Sequence, residues 1–388
     1  MSSAPRRRAV ARRRRTALLA VAAVAAGIGA AVGARGGGED EAPVAAEMPP
    51  QCPPAIAAEP RRLIGQMLVV RMQGEATDEL LGLAREGELG GVIVFPPTGI
   101  APAVLADQIA HLRRAASRAG HPEPLVAIDQ EGGDVKRLPA EPPDIAPAQF
   151  AGSGGAEAAE GQGLVTGKAL ARIGIDVDLA PVLDLGAEGS FVAERSFGED
   201  PGQVSQLALA FAHGLGQAGV AATAKHFPGL GLATVNTDTT PSSVDASRTE
   251  LEPGLEPFRA AIAASIPLVM IANATYPAYD PELPASLSAR VVTGLLRREL
   301  GYDGVVITDD LGAGALTAAG LDEGEAAVAA VSAGADLALT ALGGGSQARA
   351  ALVRAARRGE LARGALTDSC LRLIALRDRL AASPTGAP

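Results

Sequence analysis

Two adjacent carboxylates, Asp309 and Asp310, close the apolar run Val305-Val306-Ile307-Thr308. β-Branched residues suit a strand, and side chains alternate along one, so a single member of the pair faces a cavity at its exit. An inward carboxylate can attack an anomeric carbon and form a covalent glycosyl intermediate. Alternatively, either aspartate caps the helix that follows. A second constellation is Lys225-His226-Phe227-Pro228-Gly229. Its basic pair offers fixed donors to sugar hydroxyls before proline and glycine turn the backbone, although a structural pair beside an ordinary turn reads equally well. The third is Asp129-Gln130-Glu131-Gly132-Gly133. A carboxylate there can accept two hydroxyls of one ring, and the glycines let the backbone approach a ligand. An incidental acid in a turn is the plainer alternative. After the Lys-His motif a polar stretch, 232–253, is too long for a simple connector and carries Asp238 and Asp245.

These residues need elements to position them. Short apolar runs recur at 68–72, 91–95, 125–129, 176–183, 221–226, 268–272, 304–308 and 335–340. Stretches of helical length and composition, such as 101–119, 156–173, 201–218 and 289–300, separate them. Strand–helix alternation implies a parallel sheet, because parallel strands need crossover connections. Eight units over about 330 residues are the size of a TIM-type (β/α)8 barrel. An open doubly wound sheet announces itself with a glycine-rich phosphate loop after its first strand, and only Gln73-Gly74-Glu75 stands there. The expectation is therefore an α/β fold with a single catalytic barrel over residues 56–384. Barrel chemistry sits at the carboxyl ends of the strands. The polar residues closing the runs are Asp129, Asp184, Lys225 with His226, Asn273, and Asp309 with Asp310.

Composition narrows the partners. The sequence is 47% hydrophobic but only 3% aromatic and has no Trp, so Val, Leu, Ile and Ala must fill the interior. Residues 1–34 hold seven arginines (Arg6, Arg7, Arg8, Arg12, Arg13, Arg14 and Arg15) and no acid; taking them from the net charge of −10 leaves −17 on the rest. So acidic a body repels phosphate backbones, which argues against nucleic acid and for a neutral ligand. The arginines lead into an apolar run, 16–34, ending in small residues. That is the pattern of a signal peptide, and the run is also long enough for a membrane anchor; either places the body outside the cytoplasm. Residues 35–55, with three consecutive glycines, an acidic triplet and five prolines, read as a flexible linker. Cys52 and Cys370 stand at the two ends of the expected barrel. In an oxidising compartment they can tie those ends by a disulfide; two free thiols are the alternative. The four histidines show no metal-ligand spacing and no nucleotide loop is present, so neither metal nor cofactor is expected.

The motifs taken in order carry a resemblance: Asp129-Gln130-Glu131-Gly132-Gly133, Ala180-Pro181-Val182-Leu183-Asp184, Arg195-Ser196-Phe197-Gly198, Lys225-His226-Phe227-Pro228-Gly229 and Thr308-Asp309-Asp310-Leu311. Over residues 60–380 the chain resembles the catalytic barrel of family 3 glycoside hydrolases. The resemblance implies that Asp309 is the nucleophile. It also implies that Asp129, Arg137, Arg195, Lys225 and His226 hold the sugar in the −1 subsite. Many such relatives take their acid from a second sandwich domain, for which this sequence ends too early. The single-domain β-N-acetylhexosaminidase branch, acting on peptidoglycan fragments, uses a histidine on the loop after Lys-His-Phe-Pro-Gly, oriented by an aspartate two residues earlier.

Here the pattern breaks. Asp238 stands where that branch has its acid/base histidine, Asn236 replaces the orienting aspartate, Leu230 a further histidine, and Asp134 an arginine. Three readings follow. Asp238 is itself the acid/base, which asks for a raised pKa, because an ordinary aspartate near pKa ~4 is a poor donor at neutral pH. Alternatively the hydrolase is impaired or draws on Asp245 or Glu194. Or the barrel has lost its chemistry and remains as a sugar or cell-wall binding module.

Overall fold

The structure is a computed structural model, and it describes residues 52–382. The expected leader, and the expected linker up to residue 51, lie outside the described residues. No helix among the described residues is long and apolar enough to cross a membrane.

Eight strands alternate with helices: β1 (Leu68–Met72), β2 (Gly91–Val94), β3 (Leu125–Ile128), β4 (Val177–Asp178), β5 (Ala221–Phe227), β6 (Leu268–Ile271), β7 (Val305–Thr308) and β8 (Ala338–Thr340). All pair in parallel in the order β7-β6-β5-β4-β3-β2-β1-β8. A bridge from Ile307 to Leu337, just ahead of β8, joins the two edges and closes the barrel. The helices α1 (Asp78–Glu86), α2 (Pro102–Arg118), α3 (Gly155–Ile173), α4 (Pro201–Gln217), α5 (Arg248–Ala263), α6 (Arg290–Glu299, wound as a π-helix), α7 (Glu323–Ala333) and α8 (Ser346–Arg358) each follow the strand of the same number. A ninth, α9 (Arg363–Ala381), ends the described chain.

Alternation along the strands separates two cores. Val69, Leu125, Val177, Leu268 and Val305 turn into the lumen with Ile93, Met270, Ile307 and Leu339, and Leu373 and Leu376 of α9 pack against this cluster. Val70, Val92, Val126, Ala222, Val269 and Val306 turn outward against the helices. With both faces buried, the strands read as continuous apolar runs. Helix ends follow local chemistry: Thr77 Oγ1 accepts the Leu80 N–H at the start of α1, and Gly87 ends it at φ 72°, a left-handed conformation that only glycine adopts cheaply.

Three expectations shift. Regular strand in the run 176–183 is confined to Val177–Asp178; beyond it Leu179 N–H still bonds to Ile128 O and Thr223 N–H to Ala180 O, Pro181 has no N–H to give, and Val182 pairs with Lys225. The last strand starts at Ala338 rather than 335, since the Asp336 and Leu337 N–H groups both turn to Val306 O. The loop expected to reach residue 253 ends earlier. Ser247 and Glu250 form a reciprocal capping box that starts α5 at Arg248 and leaves Pro253 and Pro257 inside the helix. Cys52 and Cys370 are joined in a disulfide, with Cα atoms 5.7 Å apart.

Candidate active site

A cavity of about 260 Å³ opens at the carboxyl-end mouth of the barrel. Ile93, Leu179, Met270 and Leu339, the uppermost lumen residues, are in its lining. All seven residues singled out from the sequence border it: Asp129, Arg137, Arg195, Lys225, His226, Asp238 and Asp309. Glu194, Asp245 and Asp134 do not; all three are exposed.

One wall is a lattice of alternating charge. The fully buried Lys225 Nζ sits 2.6 Å from Glu131 and 3.0 Å from Asp129. Arg195 grips Glu131 with two parallel bonds of 2.9 and 2.8 Å, and Arg137 reaches Asp129 at 3.3 Å. Burial pushes the Glu131 carboxyl up, but Lys225 and Arg195 outweigh it and bring it to about 2. The same partners overcome burial at Lys225 and Arg195 and raise both above their ordinary values. Glu131, Lys225 and Arg195 are therefore ionised throughout the physiological range, and the lattice presents forked donors and carboxylate acceptors to a polyhydroxyl ligand.

His226 is fixed from behind. Its Nδ1 lies 2.7 Å from Asp184 Oδ2, and the Asp184 carboxylate also accepts the N–H groups of His226 and Leu230. A carboxylate only accepts, so in the neutral ring Nδ1 carries the proton, leaving Nε2 as acceptor for Arg195 Nη2 at 3.5 Å. Beneath the lattice, fully buried Asp178 accepts the Gln130 N–H at 3.0 Å. Burial pushes Asp178 up to about 8, assisted by the charges of Asp129 and Glu131, and makes it a neutral acid at pH 7.

Asp309 leaves β7 half-buried and, among the described residues, accepts one hydrogen bond, from the Asp310 N–H at 2.8 Å. Burial raises its carboxyl; the nearby His226 opposes this and Asp238 adds to it. Its neighbour caps no helix. The Asp310 carboxylate accepts the N–H groups of Gly312, Ala341 and Leu342 and so staples the β7 exit to the β8 exit. Burial raises Asp310 to about 6, and the Asp309 charge contributes. Asp238 stands exposed on the loop after β5. The Asn236 side chain accepts the Asp238 N–H at 2.8 Å, and Gly314 N–H bonds to Asp238 O at 2.7 Å, which holds the loop against the segment after β7.

Sequence reasoning left Glu131, Asp184 and Phe95 without roles. Glu131 was legible: it lies two residues after Asp129, on the same side of an extended segment. Asp184 was named as a strand end, and its bond to His226 needs the neighbouring strand, which no local pattern supplies. Phe95, with the Arg137 guanidinium 4.7 Å above its ring, carried no local signal.

A closed parallel barrel with charged groups gathered at its carboxyl-end mouth defines a TIM-barrel enzyme. Residues 61–376 match the Glycosyl hydrolase family 3 N terminal domain, and the chain belongs to that family as a glycosidase. It is 37% identical over 341 residues to a protein of Arthroderma benhamiae named an uncharacterized secreted glycosyl hydrolase, covering 85% of this chain and 96% of that one. A beta-hexosaminidase of Stenotrophomonas maltophilia shares 35% identity over 266 residues, 66% of this chain and 77% of its own. Among solved structures, a family 3 beta-N-acetylglucosaminidase from Paenibacillus superposes with TM-score 0.78 at 36% identity, over 84% of this chain and 63% of that chain. The beta-N-acetylhexosaminidase of Beutenbergia cavernae gives TM-score 0.75 at 30% identity, over 82% and 98%.

Proposed function

We propose that the protein is an exported, retaining β-N-acetylhexosaminidase acting on N-acetylglucosamine-containing glycans of the peptidoglycan type. The observation that carries this reading is Asp309: a carboxylate with one backbone bond, open to a sugar-sized cavity opposite a preformed lattice of forked donors and acceptors. In the proposed first step Asp309 attacks C1 of a sugar held by Asp129, Arg137, Arg195, Lys225 and His226. The C1–O bond breaks as Asp238 gives its proton to the leaving oxygen. In the second, Asp238 takes a proton from water as that water displaces Asp309, and the sugar leaves with retained configuration. Asp238 is favoured over Asp245 and Glu194 because it alone of the three lines the cavity, close enough for its charge to raise Asp309. Export follows from the leader pattern, and the Arthroderma relative is named as secreted.

An aryl N-acetyl-β-glucosaminide tests the reading: wild type releases the aryl alcohol and Asp309→Ala does not. A second reading, a sugar-binding module without turnover, is favoured by the exposure of Asp238, whose carboxylate makes no hydrogen bond or ion pair among the described residues. It predicts no release by wild type, together with a melting temperature that rises with added N-acetylglucosamine.

A further inference from the structure

A second cavity, of about 470 Å³, adjoins the first, and Ala341 and Leu342 wall both. Arg71, in β1, lines the second. Its half-buried guanidinium lies 4.8 Å over the Phe95 ring, whose ring also carries Arg137 at 4.7 Å. Phe95 therefore connects the lattice that fixes the first sugar to a cation beyond it. Arg71 differs from the arginines of that lattice. Among the described residues its side chain has no hydrogen bond and no ion pair, and its Nε is shielded from solvent without a partner. A guanidinium so placed has lost part of its hydration and gained only a ring face in return, so its donors remain available to a ligand. Leu342 is 59% exposed between the two cavities.

The groove lies on the Asp309 side of the mouth. The Asp310 carboxylate, next in the chain to Asp309, holds the Ala341 and Leu342 N–H groups, whereas the charged lattice stands on the exits of β3 and β5. Leu342 lines the first cavity together with Asp309 and Asp238, so a leaving group that departs from the face of C1 opposite Asp309, towards Asp238, can pass beside Leu342 into the second cavity. The exposed carboxylates of Glu75 and Glu79 border the outer groove. One cation with two anions offers donors and acceptors side by side, which suits a polyhydroxyl group, since its hydroxyls both donate and accept.

We infer that Arg71 and Leu342 form a leaving-group subsite for a second sugar residue: Arg71 donates to its hydroxyl or acetamide oxygens while Leu342 covers its apolar C–H face. The inference rests on the proposed hydrolase reading, and two substrates separate the fates of the two. One is an aryl N-acetyl-β-glucosaminide with a flat aglycone, the other the β-linked N-acetylglucosamine disaccharide. Arg71→Met keeps the stem over Phe95 and removes the fork. It should lower kcat/KM for the disaccharide by about 10-fold, the worth of one charged hydrogen bond, and leave the aryl substrate unchanged. Leu342→Ala should lower kcat/KM for the disaccharide more than for the aryl substrate. Equal losses on both substrates, or none on either, overturn the subsite while leaving the hydrolase intact. If wild type cleaves neither substrate, the hydrolase reading fails, and titration calorimetry still decides the subsite. Wild type should then bind the disaccharide more tightly than N-acetylglucosamine, with Arg71→Met erasing the difference; equal affinities in wild type overturn it.

Discussion

Asp309 and Asp336 stand at opposite ends of the same two strands and are treated in opposite ways. Asp336, ahead of β8, is fully buried, and its two oxygens accept from Arg297, Arg372, Ser369 and the Val306 N–H at 2.6–3.0 Å. It joins α6, β7 and α9, and no lone pair is left for a ligand. Asp309, at the exit of β7, has one backbone donor and an open face. Satisfied acids hold a fold together, and unsatisfied ones are available for chemistry.

The largest effect expected from this contrast is on turnover. Asp309→Ala should abolish glycoside cleavage, by about 10⁴-fold or more where a nucleophile is deleted. Because burial raises the Asp309 carboxyl, removing it should leave the melting temperature unchanged or higher; calorimetry that finds a lower one makes Asp309 structural. In wild type, kcat/KM should decline as pH falls through the raised pKa of Asp309, since attack needs the ionised form.

Asp238→Asn should cost about 10²–10⁴-fold on substrates with poor leaving groups and far less on activated aryl glycosides. Equal losses across a leaving-group series would return the acid's role to another residue. Asp336→Ala reverses the Asp309 result. Breaking a buried ion network should cost about 3–5 kcal/mol of stability in urea titrations, while kcat of the folded fraction stays near wild type.

Asp178 tests the contrast more finely, because it is buried at the mouth yet not ionised. Its folded pKa of about 8 lies above the unfolded value, so its contribution to stability is fully present only below about pH 4 and is lost progressively as pH rises to about 8. Asp178→Asn, neutral at every pH, should remove that loss and gain a few kcal/mol at pH 8 over wild type. Parallel pH–stability curves for the two proteins would show Asp178 to be ionised in the native state.

The barrel was legible because its strands are buried on both faces and therefore appear as apolar runs. Six of the eight expected strands lie within two residues of their place. The exceptions sit at Pro181, which follows β4 and has no N–H to give, and at Asp336, whose carboxylate and N–H both turn to Val306. At the mouth, residue types marked the cluster, and its members meet. What stayed hidden was pairing across strands. The Asp184–His226 bond, the Asp310 staple and the Arg71–Phe95 stack join residues 42, up to 32 and 24 positions apart, which no local pattern relates.

The bond between Cys52 and Cys370 spans 318 residues and encloses all eight strand–helix units. Between those positions the polypeptide is topologically a ring. A protease that nicks an exposed mouth loop, such as the one bearing Asp238, opens the ring without dividing it, and the two halves separate only on reduction. In the extracellular setting proposed for it, such a molecule survives its first cut in one piece.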